Sequence, residues 1–254
     1  CKAPKIAKIV DKLLAIFPEE ANYYKQKNID VAWVGHPLID KFKTSLDRKT
    51  ARHLLDIETE KTIITLLPAS RQQEIKYLLP VICQAAKNIQ EKLPSVHFLI
   101  PISLGSFRQA IADAVKTYNL SATILEEKTY EAIAAADLAI SKSGTVNLEI
   151  ALLNVPQVVL YRINPLTAWV ARNLLKFSIP LMSPPNLVVN KEIVPELQQE
   201  EATAERVTQE SLDLLENKSK REQMLADYRH MRSLLGEMGV CDRVANEILK
   251  MANN

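Results

Sequence analysis

Two short stretches of the chain carry residue types able to grip an anion and a sugar. The first, Leu66-Leu-Pro-Ala-Ser-Arg71, ends an apolar run at Pro68 and opens a helical one with Ser70 and Arg71, with Glu74 in its first turns. A helix start offers unpaired N–H groups and a partial positive charge, and an arginine beside it adds a bidentate fork, a combination suited to phosphate. The same residues also fit a plainer account in which Ser70 caps the helix and Arg71 is a solvated charge. The second stretch, Ser141-Lys-Ser-Gly-Thr-Val-Asn-Leu-Glu149, repeats the change from apolar run to helix. Gly144 stands where the backbone must turn and could approach a ligand, and Ser143 and Thr145 add hydroxyls. Glu149 lies one turn past Thr145 on the same face, where its carboxylate would accept hydrogen bonds from a ribose diol. A capped helix whose glutamate faces water is the alternative, and one glycine is a far weaker signal than GxGxxG.

Those stretches need a frame, and periodicity supplies one. Runs rich in branched apolar residues at Val31–Val34, Thr62–Leu67, Val96–Ile100, Ala122–Leu125, Leu138–Ile140 and Gln157–Tyr161 read as strands buried on both faces. Helical spacing fills Arg71–Lys92, Phe107–Tyr118, Thr129–Ala136 and Thr145–Leu153 between them. Strand followed by helix, repeated, predicts an α/β fold: a Rossmann-like, doubly wound parallel sheet with helices on both faces. In such sheets ligands bind beyond the carboxyl ends of the strands, where both candidate stretches fall. After Pro156 the pattern changes. Asn164–Phe177 is helical, Pro180, Pro184 and Pro185 predict an irregular loop, and Thr203–Met251 reads as three helices.

Composition bounds the function. The chain has 254 residues, 47% hydrophobic and 24% charged, the profile of a globular protein and not of collagen, coiled coil or disorder. A net charge of +2 provides no global field for nucleic acid, which is not expected as a partner. Three scattered cysteines predict a reducing setting such as the cytoplasm, and four histidines without HxxxH or HxH spacing predict no zinc site; no cofactor is expected. No run reaches the ~20 apolar residues of a membrane span. A first residue of Cys fits an incomplete or trimmed chain, or else a lipidated terminus. Cys83 reads as core, and His36 as either a phosphate contact or a capping or core residue. The segment carrying Trp169, Arg172 and Lys176 either packs inward or rests on a bilayer.

Taken in order, the motifs resemble a known family. Val34-Gly-His-Pro37, Leu66-Leu-Pro-Ala-Ser-Arg71, Ser143-Gly-Thr-x-x-Leu-Glu149, Val155-Pro156, Tyr161-Arg162, Pro165-Leu-Thr-x-Trp169, Pro185-Asn-Leu187 and Val194-Pro-Glu-Leu-x-Gln-Glu200 together resemble the lipid-A-disaccharide synthases, glycosyltransferase family 19, over essentially the whole chain. One departure is Ala69, where the family often has glycine; the methyl group narrows the phosphate loop.

The resemblance implies the C-terminal half of a metal-independent, inverting GT-B hexosyltransferase. Such enzymes move a diacylglucosamine unit from UDP to the 6-hydroxyl of an acylated glucosamine 1-phosphate. It implies a remnant of an N-terminal acceptor domain and linker over 1–35, a nucleotide-sugar-binding domain over 36–200 and a helical tail over 201–254. Donor contacts are implied for Ser70, Arg71, Glu74, Ser143, Gly144, Thr145, Glu149, Arg162 and Asn186, with backbone of Leu125-Glu-Glu127 offered to uracil. The general base is expected in the preceding half, so this portion alone should bind UDP weakly and catalyse nothing. The implied partners are the UDP-diacylglucosamine donor, the acylated acceptor and the inner face of a membrane as a peripheral surface; the tail permits a homodimer. Two other readings stay open: a non-catalytic UDP-sugar-binding module and a UDP-sugar 2-epimerase.

Overall fold

A computed structural model describes residues 3–6, 8–42, 46–58, 60–68, 70–102, 104–164 and 180–252. The predicted helix over 164–177 with Trp169, and Ala69, therefore lie outside the described residues except for Asn164. The chain divides into two compact units, one formed by Cys1–Ser45 with Arg229–Asn254 and a larger one spanning Leu46–Tyr228. The division between Tyr228 and Arg229 falls inside the helix Lys218–Leu234, whereas the sequence suggested boundaries after residues 35 and 200.

The larger unit is built on six strands, the central ones largely apolar because both their faces are covered and the two edge ones more polar. These are β3 (Ile63–Leu67), β4 (His97–Ile102), β5 (Ala122–Glu126), β6 (Leu138–Lys142), β7 (Gln157–Tyr161) and β8 (Glu196–Gln198), following β1 (Leu13–Ala15) and β2 (Val31–Trp33) in the smaller unit. Every described pairing is parallel, and the larger sheet has the order β5-β4-β3-β6-β7-β8. The chain starts at the centre in β3, winds outward to β5, returns to lay β6 beside β3, and winds outward the other way. The reversal therefore sits between β3 and β6, paired from Ile64↔Leu138 to Leu67↔Ser141. A doubly wound sheet binds ligands at the carboxyl side of this reversal.

Helices Gln72–Lys92, Arg108–Thr117, Thr129–Ala135 and Val146–Leu152 make the crossovers. Ala132, Ile133, Ala134 and Ala135 join Ile63, Leu99, Ala139 and Ile150 in one buried cluster, the small alanines letting their helix lie close to the strands. Helix Ala204–Glu216 packs on Gln72–Lys92, so the first part of the predicted tail belongs to the larger unit. Tyr228, fully buried, reaches Gln157 of β7 through its hydroxyl at 3.1 Å.

Two local expectations need correction. Pro184 and Pro185 do not open an irregular loop but start the helix Pro184–Val189, where a missing N–H costs nothing. β8 and β1 were not anticipated, each being three residues long, and β8 reads Glu-Leu-Gln with only Leu197 buried. Cys83 is core as expected, and burial pushes its thiol up to about 12.

Candidate functional site

At the end of β3, Pro68 is buried and the chain turns through Ser70 into the helix Gln72–Lys92. Ser70 is not the helix cap. Arg71 occupies that position with extended backbone, and Glu74 at the third helical residue reaches back to accept from the Arg71 N–H at 3.0 Å and from the Ser70 N–H. One oxygen of Glu74, Oε2, is thus engaged by the loop's own donors, which suits the residue to shaping the loop. Arg71 itself is exposed and Ser70 half-buried.

At the end of β6, Ser141 is fully buried and Lys142, Ser143 and Gly144 are half-buried, while Thr145 is exposed. Ser143 donates its N–H to the Leu160 carbonyl at 2.8 Å and its hydroxyl to the Met182 carbonyl at 3.0 Å. The turn is held by Asn147, which sequence reasoning passed over. Its Oδ1 accepts from the Gly144 N–H at 2.7 Å, and its Nδ2 donates to Ser141 Oγ at 2.7 Å and to Gln157 Oε1 at 3.2 Å. A polar residue inside an otherwise apolar helical stripe was the available signal.

The expected turn requirement does not hold at Gly144. Its φ lies outside the left-handed region, so the turn does not demand it; a Cβ there would instead lie 2.7 Å from Lys142 Nζ. The missing side chain makes room for an ammonium. Because that ammonium ends a flexible stem, Gly144→Ala is expected to shift Lys142 at small folding cost, with a melting temperature within about 2 °C of the parent. A drop above about 6 °C by differential scanning calorimetry would mean that the backbone needs glycine after all.

The structure brings the two junctions together. Lys142 Nζ, on one, lies 3.8 Å from Glu74 Oε1, on the other, and both side chains are largely enclosed at 16% and 17% exposure. Lys142 is the second residue that sequence reasoning left without a role, although a lysine closing a buried strand beside Ser-Gly was visible. Glu149 is half-buried and accepts from the Tyr130 hydroxyl at 3.0 Å. Tyr130 is thus a further unanticipated neighbour. Arg162, just past β7, is half-buried.

Asn186 does not face a cleft. It is fully buried, its Oδ1 accepting from Ile193 N and Val194 N at 2.7 and 2.9 Å and its Nδ2 donating to the Val194 carbonyl and to Glu196 Oε2. All four valences of the amide are met inside the protein, so it folds the loop into β8 and has none left for a ligand. In the smaller unit, His36 is 6% exposed, accepts the Leu38 N–H at Nδ1 and lies with its ring tilted by 46° against that of Phe17, centroids 5.2 Å apart. Burial lowers its pKa, favouring a neutral imidazole. Glu127, after β5, takes a left-handed φ of 54°.

Among the described residues no three His, Cys, Asp or Glu side chains converge as metal ligands would. No described helix is long and apolar enough to cross a membrane.

Comparison with known proteins agrees with this architecture. A family model described as lipid-A-disaccharide synthetase matches residues 1–249. A lipid-A-disaccharide synthase of Gloeothece citriformis is 59% identical over 244 residues, covering 96% of this chain and 64% of that protein. One from Synechocystis sp. is 52% identical over 251 residues, covering 98% and 64%. Among solved structures, the UDP-GlcNAc 2-epimerase of Neisseria meningitidis bound to UDP-GlcNAc superposes with a TM-score of 0.68 at 17% identity, over 96% of this chain and 62% of its own. That likeness gives the fold, the Rossmann-like half of a GT-B architecture. The chain spans about 64% of the length of the curated relatives it matches. With a family match over nearly its full length and half or more of its residues shared with two synthases, the chain belongs to the lipid-A-disaccharide synthase family.

Proposed function

We propose that this chain supplies the nucleotide-binding half of an inverting, metal-independent transferase that moves a diacylglucosamine unit from UDP to the 6-hydroxyl of an acylated glucosamine 1-phosphate. The observation that carries the reading is the placement of the β3 and β6 junctions side by side at the sheet's reversal, each opening a helix. The start of the long helix Gln72–Lys92, with Arg71 beside it, favours an anion there. The structurally similar N. meningitidis epimerase is described as bound to UDP-GlcNAc, which supports a UDP-sugar as the ligand of this half; family membership favours transfer over epimerisation.

In this reading Ser70 and Arg71 hold the diphosphate, and Ser143, Gly144 and Thr145 line it. Glu149, oriented by the Tyr130 hydroxyl, accepts from the ribose diol, and backbone near Leu125-Glu-Glu127 meets the uracil. Arg162 faces the donor. Glu74 and Asn186 position loops and touch no ligand. As the acceptor hydroxyl oxygen bonds to the anomeric carbon, the bond from that carbon to the β-phosphate oxygen breaks, and its electron pair leaves with UDP. The hydroxyl proton passes to a general base that none of the assigned residues supplies. Arg71 and the helix start stabilise the charge growing on the leaving diphosphate, work a divalent cation would otherwise do. Acylated substrates put the whole protein at the surface of a membrane, as a peripheral enzyme on its cytoplasmic face. A homodimer through the terminal helices is compatible with this scheme.

Arg71→Ala tests the assignment. UDP affinity, titrated calorimetrically, is expected to fall about tenfold or more, the worth of one charge-assisted contact. Unchanged affinity overturns the phosphate site. For the whole protein, a labelled UDP-diacylglucosamine donor is expected to yield a disaccharide, and a C2-epimerised monosaccharide in its place would overturn the transferase reading.

A further inference from the structure

We propose that Lys142 is the cation that meets the donor's diphosphate. The inference rests on the reading above, that the β3 and β6 junctions hold UDP, and adds a residue that reading does not use. Leu138, Ala139, Ile140 and Ser141 are buried, and the strand they form ends in a lysine whose side chain is only 16% exposed. Withdrawing an ammonium from bulk water is costly unless something compensates it. The carboxylate that faces it, Glu74 Oε1, lies 3.8 Å away, beyond hydrogen-bonding distance, and the other oxygen of Glu74 accepts from the Ser70 and Arg71 N–H groups. The charge therefore has a Coulombic partner but not the close acceptors that three N–H donors call for.

Its position supplies the rest. Lys142 Nζ rests against Gly144, 2.7 Å from where a Cβ would stand, so it lies at the turn opening one helix while facing the first turn of the other. An anion bridging the two junctions would meet this ammonium directly. Phosphate oxygens offer the close acceptors that Glu74 does not, and the four-carbon stem lets the charge follow the β-phosphate as it leaves. Arg71, exposed, and Lys142, enclosed, would then take the diphosphate from its wet and dry sides.

The test is calorimetric titration of the chain, as wild type, Lys142→Met and Lys142→Arg, with UDP and separately with uridine. Lys142→Met is expected to weaken UDP about tenfold or more while changing uridine by less than about twofold, and Lys142→Arg to recover most of the loss. Two outcomes overturn the proposal: Lys142→Met binding UDP like the wild type, or weakening UDP and uridine alike, which would mean the lysine only shapes the loop. Lys142→Gln, which keeps a polar head without charge, replaces the methionine variant if thermal melts reveal unfolding. Failure of the underlying reading looks different, because then the wild type itself shows no preference for UDP over uridine.

Discussion

Asp137→Ala is expected to lower stability by about 3 kcal/mol, or roughly 6–12 °C in melting temperature. Asp137 sits one residue before β6, at the opposite end of the sheet from the candidate site. Its backbone N–H donates to the Ile63 carbonyl, and its Oδ2 accepts from the Ile63 N–H, each at 2.8 Å, so it ties the base of β6 to the base of β3. The same oxygen accepts from Arg52 Nη2 at 2.7 Å, and Arg52 Nε donates to the Ala135 carbonyl at 3.0 Å. Arg52 is only 5% exposed at its side chain, whereas Arg48, which pairs with the other carboxylate oxygen, is 55% exposed. The exposed pair contributes little; the enclosed one decides the outcome, because removing the aspartate takes a close carboxylate from a guanidinium held largely out of water. Chemical denaturation should therefore find Arg52→Met/Asp137→Ala less costly than Asp137→Ala alone. A single variant within about 0.5 kcal/mol of the parent would refute the claim that this ion pair is energetically enclosed.

The consequence reaches the site through the strands. β3 and β6 carry the two junctions at their carboxyl ends, and Asp137 clamps them at their amino ends. A device of this kind is invisible in sequence, because Arg52 and Asp137 are 85 residues apart and nothing local marks them as partners. What was legible is local. Long runs of branched apolar residues gave β3, β4, β6 and β7, since a strand buried on both faces cannot hide its composition. The short edge strand Glu196–Gln198 has no such run, and its Glu196 is polar because its carboxylate accepts from Met182, Ser183 and Asn186.

The site divides along the same line. The two loops could be named from their residue types because a strand-to-helix change with Ser, Gly and Arg is a local pattern. Their adjacency follows from strand order and not from any motif. Which side chains face a ligand depends on partners far along the chain. Asn186 was expected to face a cleft, yet its amide is consumed by Ile193, Val194 and Glu196. Glu74, three residues past Arg71, could have been recognised as the reaching-back partner of a capping box, had the cap been placed at Arg71 and not at Ser70.

Asn147 bears the second large expectation, because it joins the β6 turn to the buried interior. Asn147→Ala removes the acceptor for Gly144 N and the donor to Ser141 Oγ and Gln157 Oε1, all within a residue that is itself fully buried. Orphaned buried polar groups cost about 1–3 kcal/mol each and do not add fully, so a loss of about 3 kcal/mol is expected, or roughly 6–12 °C. The damage should travel in two directions. Inward, Gln157 Nε2 donates to the Asn147 carbonyl and to the Tyr228 hydroxyl, so the network extends to helix Lys218–Leu234. Toward the site, the Gly144 turn loses the contact that fixes its N–H, and the helix start it opens should become less ordered. UDP affinity should therefore drop together with stability, whereas Tyr228→Phe, which removes only the far hydroxyl, should cost stability and leave affinity nearly unchanged. If Asn147→Ala retained full UDP affinity in calorimetry despite its lower melting temperature, the β6 turn would bind nothing, and the ligand would have to be held by the β3 junction alone.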